Sequence, residues 1–133
     1  MIEADLTEHG VQVLREIVTE RQPQPAERRW FTSEHADLYI WQDPSGSISG
    51  FEYCYRTGAR EYSLRWNMRR GIEYAVIDDG ESVPLRNNSP IAIMIDKPDW
   101  DLLLQHFRAE SRSVDTGLYQ FVLHKMLKAA CAS

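Results

Sequence analysis

Three short turns constrain this chain more than any other feature. They phase the alternating segments around them so that the aromatic and aliphatic residues fall on one side. Asp43-Pro44-Ser45-Gly46 has turn composition, with proline suited to the second position. Gly58-Ala59 suits a two-residue hairpin with glycine first. Met68-Arg69-Arg70 followed by Gly71 suits a three-residue loop closed by a glycine bulge. The candidate strands are Arg28–Thr32, His35–Gln42, Ser47–Arg56, Arg60–Asn67 and Ile72–Asp78. With Gly58-Ala59 as the loop, Tyr55 faces Tyr62, Tyr53 faces Leu64 and Phe51 faces Trp66. The next hairpin sets Trp66 against Ile72, Leu64 against Tyr74 and Tyr62 against Val76. The opposite face carries Arg56–Glu61, Glu52–Arg65 and Arg65–Glu73, and such cross-strand ion pairs contribute about 0.2–1 kcal/mol each. A slip by one residue would set aromatics against charges, so the register is strongly specified. Carried through a four-residue loop at Asp43–Gly46, the same logic sets Leu38 against Phe51 and Ile40 against Ser49.

The flanks change to helical spacing. Thr7–Arg21 carries Val11, Leu14 and Val18 on one stripe with Ile17 beside them, which predicts a helix despite Gly10. Gln22-Pro23-Gln24-Pro25 ends it. A loop with Pro84, Asn87, Asn88 and Pro90 precedes a short apolar strand, Ile91–Ile95. Pro98 fits the first turn of a helix, and Trp100, Leu103, Leu104 and Phe107 form its stripe. Ser111–Ser113 breaks the pattern. Asp115 can cap a last helix with Tyr119, Val122, Leu123 and Met126 on one side. The expected fold class is α+β: an antiparallel β-meander of about four to six strands, with N-terminal and C-terminal helices packed on one face. One domain is expected over residues 1–133, a length that buries roughly 65–70% of the unfolded surface.

Charge and cysteine content narrow the function classes. The net charge is −5, and 12 of the 15 basic residues are arginine. A negative chain repels phosphate, so no nucleic-acid partner is expected. No apolar run reaches membrane length, so no membrane role is expected. The segment MIEADLTEHG has no basic and apolar leader pattern. Cys54 and Cys131 form no disulfide framework and read as free thiols in a reducing, cytoplasmic compartment. The Asn87-Asn88-Ser89 acceptor pattern carries little weight inside a cell.

Arg28-Arg29-Trp30-Phe31, Asp37-Leu38-Tyr39-Ile40-Trp41, Gly50-Phe51-Glu52-Tyr53-Cys54-Tyr55 and Asp78-Asp79-Gly80 resemble a family of small uncharacterised bacterial proteins. The resemblance runs over about two-fifths of the chain. That family has no assigned activity. It implies a bacterial cytoplasmic protein and carries no functional residue across.

Several constellations could carry chemistry. The turn register sets His35 opposite Cys54, with Asp37 and Glu52 as the next pair. A Cys–His pair oriented by a carboxylate can activate a thiolate, and the same side chains could ligate a metal. The plain alternative is a small cysteine in a strand and a histidine at a strand start. Strand alternation places Tyr39, Trp41 and Ile48 together on the polar face, where clustered aromatics suggest a binding or oligomer contact. Strand Arg28–Thr32, the termini or the Pro84–Pro90 loop could instead cover them. Arg69-Arg70, with Arg65 nearby, is short and faces away from the aromatics, so it reads as a solvated hairpin tip. Asp78-Asp79-Gly80-Glu81 lacks calcium-loop spacing, and His9, His106 and His124 lack metal-ligand spacing. No phosphate-binding loop, dinucleotide fingerprint or nucleophile elbow is present, since Gly46-Ser47-Ile48-Ser49-Gly50 has isoleucine at the nucleophile position. No catalytic residue, metal or cofactor is therefore expected. The expected function is a non-enzymatic protein-interaction or homo-oligomerising module using Tyr39, Trp41 and Ile48. The alternative is a small-ligand binder or enzyme with a pocket between sheet and helices, lined by Tyr53, Tyr55, Tyr62 and Tyr74.

Overall fold

The hairpins pair as their turns dictate. Strand β4 (Ile48–Thr57) pairs antiparallel with β5 (Arg60–Asn67), bringing Tyr55 to Tyr62, Tyr53 to Leu64, Phe51 to Trp66 and Glu52 to Arg65. Strand β6 (Gly71–Asp78) then sets Ile72 against Trp66, Tyr74 against Leu64 and Glu73 against Arg65. Gly71 sits at φ +76°, the left-handed region that a bulge-closing glycine adopts without strain. The computed structural model describes residues 13–18, 28–57, 60–78, 91–94 and 98–132, with 77–78 and 91–94 described through their pairing alone. The Gly58-Ala59 turn, the Gln22–Pro25 linker and the Pro84–Pro90 loop lie outside them.

Among the described residues the remaining strands extend the meander to seven, in sequence order: β1 (Arg15–Ile17), β2 (Arg28–Thr32), β3 (Ala36–Gln42), then β4 to β6, then β7 (Ile91–Met94). Every neighbouring pair is antiparallel. The sheet thus exceeds the expected four to six strands. The extra one comes from the segment that the sequence predicted as helix Thr7–Arg21. Within it, Arg15–Ile17 are extended and pair with Thr32, Phe31 and Trp30 of β2. The rest of that predicted helix, apart from the neighbouring described residues, lies outside the described part. Three residues with one apolar side chain fit either period, and the unpaired amides and carbonyls at the edge of β2 favour the strand.

Among the described residues two helices follow, α1 (Trp100–Glu110) and α2 (Thr116–Ala132). Asp99, rather than Pro98, starts α1: its carboxylate accepts from the Leu102 amide at 3.2 Å. Ser111 ends the helix, its amide reaching the Phe107 carbonyl at 3.0 Å. The Asp115 carbonyl accepts from the Tyr119 amide as α2 opens. Its carboxylate instead receives Arg29 at 3.1 Å, and the same guanidinium makes two 2.7 Å bonds to Glu16. Arg29 therefore ties β1 and β2 to the start of α2.

Both helices cover the inner face of the sheet. Leu103 and Phe107 of α1, and Leu118, Val122 and Met126 of α2, share one core with Phe31, Leu38, Ile40, Phe51, Tyr53, Tyr55, Leu64 and Tyr74. The architecture is α+β, a meander with helices on one face. No helix among the described residues is long and apolar enough to cross a membrane.

The tyrosines pack on one another among the described residues. Tyr53 and Tyr55 are 0% and 1% exposed. Tyr53 stacks on Tyr55 and meets Phe107 edge-on, and Tyr55 stacks on Tyr62. The Tyr55 and Tyr74 hydroxyls bond each other at 2.6 Å. The Tyr53 hydroxyl is buried without a partner among the described residues. A Tyr53→Phe substitution removes that group without leaving a partner stranded. It is expected to leave stability unchanged or raise it by up to about 1 kcal/mol, read by urea unfolding. A loss of 2 kcal/mol or so would reveal a partner for that hydroxyl.

Candidate functional site

The outer face of the sheet is built by alternate residues of each strand. On β2 and β3 these are Arg28, Trp30 and Thr32 against Trp41, Tyr39 and Asp37. The Trp30 and Tyr39 rings stack with centroids 6.1 Å apart and planes within 10°, and Tyr39 lies 6.1 Å from Trp41 at 33°. The Arg28 guanidinium sits over the Tyr39 ring at 5.4 Å. Asp37 pins this row: its Oδ1 accepts from the Trp30 indole at 3.0 Å and the Thr32 hydroxyl at 2.6 Å, while Arg56 reaches Oδ2 at 3.2 Å. The rings are therefore held in place and not merely adjacent. Trp41, at the end of the row, is 37% exposed.

Gly50 of β4 lies directly opposite Trp41 and leaves a trough beside it. A side chain there would place Cβ 3.0 Å from the Trp66 carbonyl oxygen, a main-chain atom that cannot swing away. The trough is a cavity of about 410 Å³ lined by Trp41, Gly50, Glu52, Arg65, Trp66 and Asn67 among others. A neighbouring cavity of about 290 Å³ is lined by Arg28, Trp30, Tyr39, Trp41 and Glu52. Trp41 and Glu52 belong to both.

Of the residues predicted from sequence, the structure brings Tyr39 and Trp41 together and separates Ile48 from them. The reason is a bulge. Trp41 pairs with Gly50, but Gln42 pairs with Ile48, so Ser49 is extra. Ile48 turns to the inner side and packs on the core. The Asp43 carboxylate sets this up by accepting from the Ser45 and Ser47 amides, both at 2.9 Å, while Gly46 takes φ +92°. The loop therefore closes on Asp43–Ser47, one residue longer than predicted. With the bulge, the β3–β4 register moves by two, so Leu38 faces Tyr53 and Ile40 faces Phe51.

The same shift dissolves the predicted Cys–His pair. Asp37, not His35, lies opposite Cys54, and Tyr39 lies opposite Glu52. The His35 side chain is 46% exposed and only 4.0 Å from Glu34. Cys54 is buried, and its thiol donates to Glu52 Oε2 at 3.5 Å. Burial first, then the Glu52 charge, push this thiol up from 9.0 to about 12. It is a thiol at neutral pH and no nucleophile. At pH 8, iodoacetamide is expected to modify exposed Cys131 and to spare Cys54 until the chain is unfolded, as mass mapping would show. Equal labelling of both would contradict the burial. The sign for stability follows. Below the unfolded value Cys54 is protonated in both states. Above it the unfolded chain ionises first, so stability falls as pH rises from about 9 towards 12. Burial raises Tyr53 and Tyr55 as well, which adds to the alkaline loss.

No group of three or more His, Cys, Asp or Glu side chains converges as a metal site among the described residues. His106 pairs with Glu110, and His124 is exposed on α2. His9 and Asp79–Glu81 lie outside the described residues. At the hairpin tip Arg70 lies 3.7 Å from Glu73, and Arg65 lies 3.7 Å from Glu52. No family model, no curated protein and no solved structure matches this chain. The geometry alone speaks for the site.

Sequence reasoning missed Trp30, Gly50 and Glu52 as members of the aromatic site. The available signal was the short Ser33–His35 connection, which makes Arg28–Thr32 the natural antiparallel neighbour of the next strand. The arrangement brings together three ordered rings, a guanidinium and a carboxylate around a glycine-floored trough.

Proposed function

We propose that this chain is a non-enzymatic interaction module that docks a protein partner on the outer face of β2–β4. The observation that carries this reading is the ordered row Trp30–Tyr39–Trp41, whose last member is 37% exposed beside a trough. Rigid aromatic rings give large contact area at low entropic cost, and tryptophan and tyrosine dominate binding hot spots. Self-association through the same face is the homotypic form of this reading. A ligand pocket between sheet and helices has less support, because Tyr53 and Tyr55 are filled in by their neighbours.

The test is affinity capture followed by native mass spectrometry, comparing the parent with Trp41→Ala and with Met68→Ala. Met68 is 71% exposed on the far hairpin and serves as the control. Loss of a central tryptophan anchor is expected to weaken the complex by about 2 kcal/mol or more, roughly 30-fold. The control should bind like the parent. A complex that survives Trp41→Ala unchanged, or a chain that stays a bare monomer under all conditions, would overturn the proposal.

A further inference from the structure

Glu52 is the carboxylate shared by both outer-face cavities, and its side chain is 19% exposed. Oε2 is fully used: it accepts from Ser63 at 2.7 Å and from the Cys54 thiol at 3.5 Å, and Arg65 lies 3.7 Å away. None of the hydrogen bonds among the described residues uses Oε1. A partly buried carboxylate with one oxygen outside those bonds, lining the same cavity as three aromatic rings, is complementary to a cation. The site already shows the taste of its rings, since the Arg28 guanidinium rests on Tyr39. The net charge of −5 draws a basic partner towards the chain as a whole.

We propose that the anchor taken by this face is the guanidinium of an arginine on a basic segment of the partner protein, seated against the aromatic row with its N–H groups on Glu52 Oε1. This rests on the docking reading above. A guanidinium fits better than an ammonium because it is planar, stacks on rings and presents several donors in one plane. Arg28 is exposed and holds the Tyr39 ring face in the free chain, so it competes with the incoming cation. The two charged residues of the small cavity therefore have opposite effects: Glu52 holds the ligand and Arg28 stands in its place.

The experiment titrates the ¹⁵N-labelled chain with a capped glycine-rich peptide carrying one arginine. The indole N–H signals of Trp30 and Trp41 are followed, and peptides carrying citrulline or glutamate serve as comparison. The arginine peptide is expected to shift both signals saturably. Glu52→Gln, which keeps an acceptor for Ser63, should weaken it about tenfold, and Arg28→Ala should tighten it about threefold. Citrulline binding as well as arginine, Arg28→Ala weakening the peptide, or glutamate being preferred would each overturn the inference. Free arginine binding as tightly as the peptide would also overturn it, by making the cavity a small-molecule site. The two proposals fail separately. If Trp41→Ala releases the captured partner while Glu52→Gln does not, the docking face stands and the guanidinium anchor falls. If Trp41→Ala releases nothing, both fall.

Discussion

Phe107→Ala is expected to lower the unfolding free energy by about 3–5 kcal/mol, the range for emptying a buried aromatic site. Phe107 is 0% exposed on the inward stripe of α1. Its ring meets Tyr53 of the central strand edge-on at 5.3 Å and stacks on Tyr119 of α2 at 5.5 Å. One side chain therefore touches the sheet and both helices. Its neighbours cannot collapse into the gap easily, because Tyr53 is held by its stack on Tyr55 and by the strand pairing beneath it. Leu102, five positions earlier on the same helix, is 38% exposed, and its alanine variant should stay within about 0.5 kcal/mol of the parent. Urea unfolding of the two variants, with slopes compared, is the measurement. A cost below 1 kcal/mol or so for Phe107→Ala would mean that α1 does not seat on β4 in this way.

The second large effect is at Glu110, a carboxylate 5% exposed at the end of α1. Its Oε1 receives the Ser33 hydroxyl, and the His106 Nδ1 lies 3.7 Å from Oε2. Ser33 Oγ in turn accepts from the amides of His35 and Ala36, which shapes the β2–β3 turn. The Glu110 carbonyl accepts from the Leu14 amide at 2.8 Å, so the end of α1 also holds the approach to β1. Glu110→Ala leaves the Ser33 hydroxyl only the Ala36 carbonyl at 3.4 Å and should cost about 2 kcal/mol, within the range for hydrogen bonds to a charged group. Glu110→Gln keeps an acceptor for Ser33 and should cost about half as much. Hydrogen exchange gives the local readout: the His35 and Ala36 amides should exchange faster in Glu110→Ala, with β5 unchanged. Unaltered exchange and stability would mean that desolvating this carboxylate costs as much as its bonds return.

The effect on the aromatic row is indirect. The β2–β3 turn carries Trp30 and Tyr39 into register. Loosening Ser33 in Glu110→Ala is therefore expected to broaden the Trp30 indole N–H signal, and an unchanged signal would show that Asp37 alone holds the row.

By itself the sequence determined the β4–β5–β6 hairpins, their register and the face that each side chain takes. The reason is parity: a two-residue or three-residue loop sets which residues oppose each other, and alternation carries that choice along the whole strand. It determined the α+β class and the inward stripe of α1 in the same way, because periodicity is local. Only the tertiary structure decided three things. Arg15–Ile17 became a strand because the edge of β2 needed partners, and no local pattern records a distant edge. Ser49 became a bulge because Asp43 closes a five-residue loop, which moved Ile48 into the core, set Asp37 against Cys54 and removed the His35 pairing. Trp30 joined Tyr39 and Trp41 because β2 docks on β3, and Gly50 opened a trough beside them because β4 passes close to the Trp66 carbonyl. The first and third depend on main-chain groups brought together from separate segments, information that exists only once the sheet has formed; the second depends on a carboxylate closing its own loop, which strand alternation does not encode.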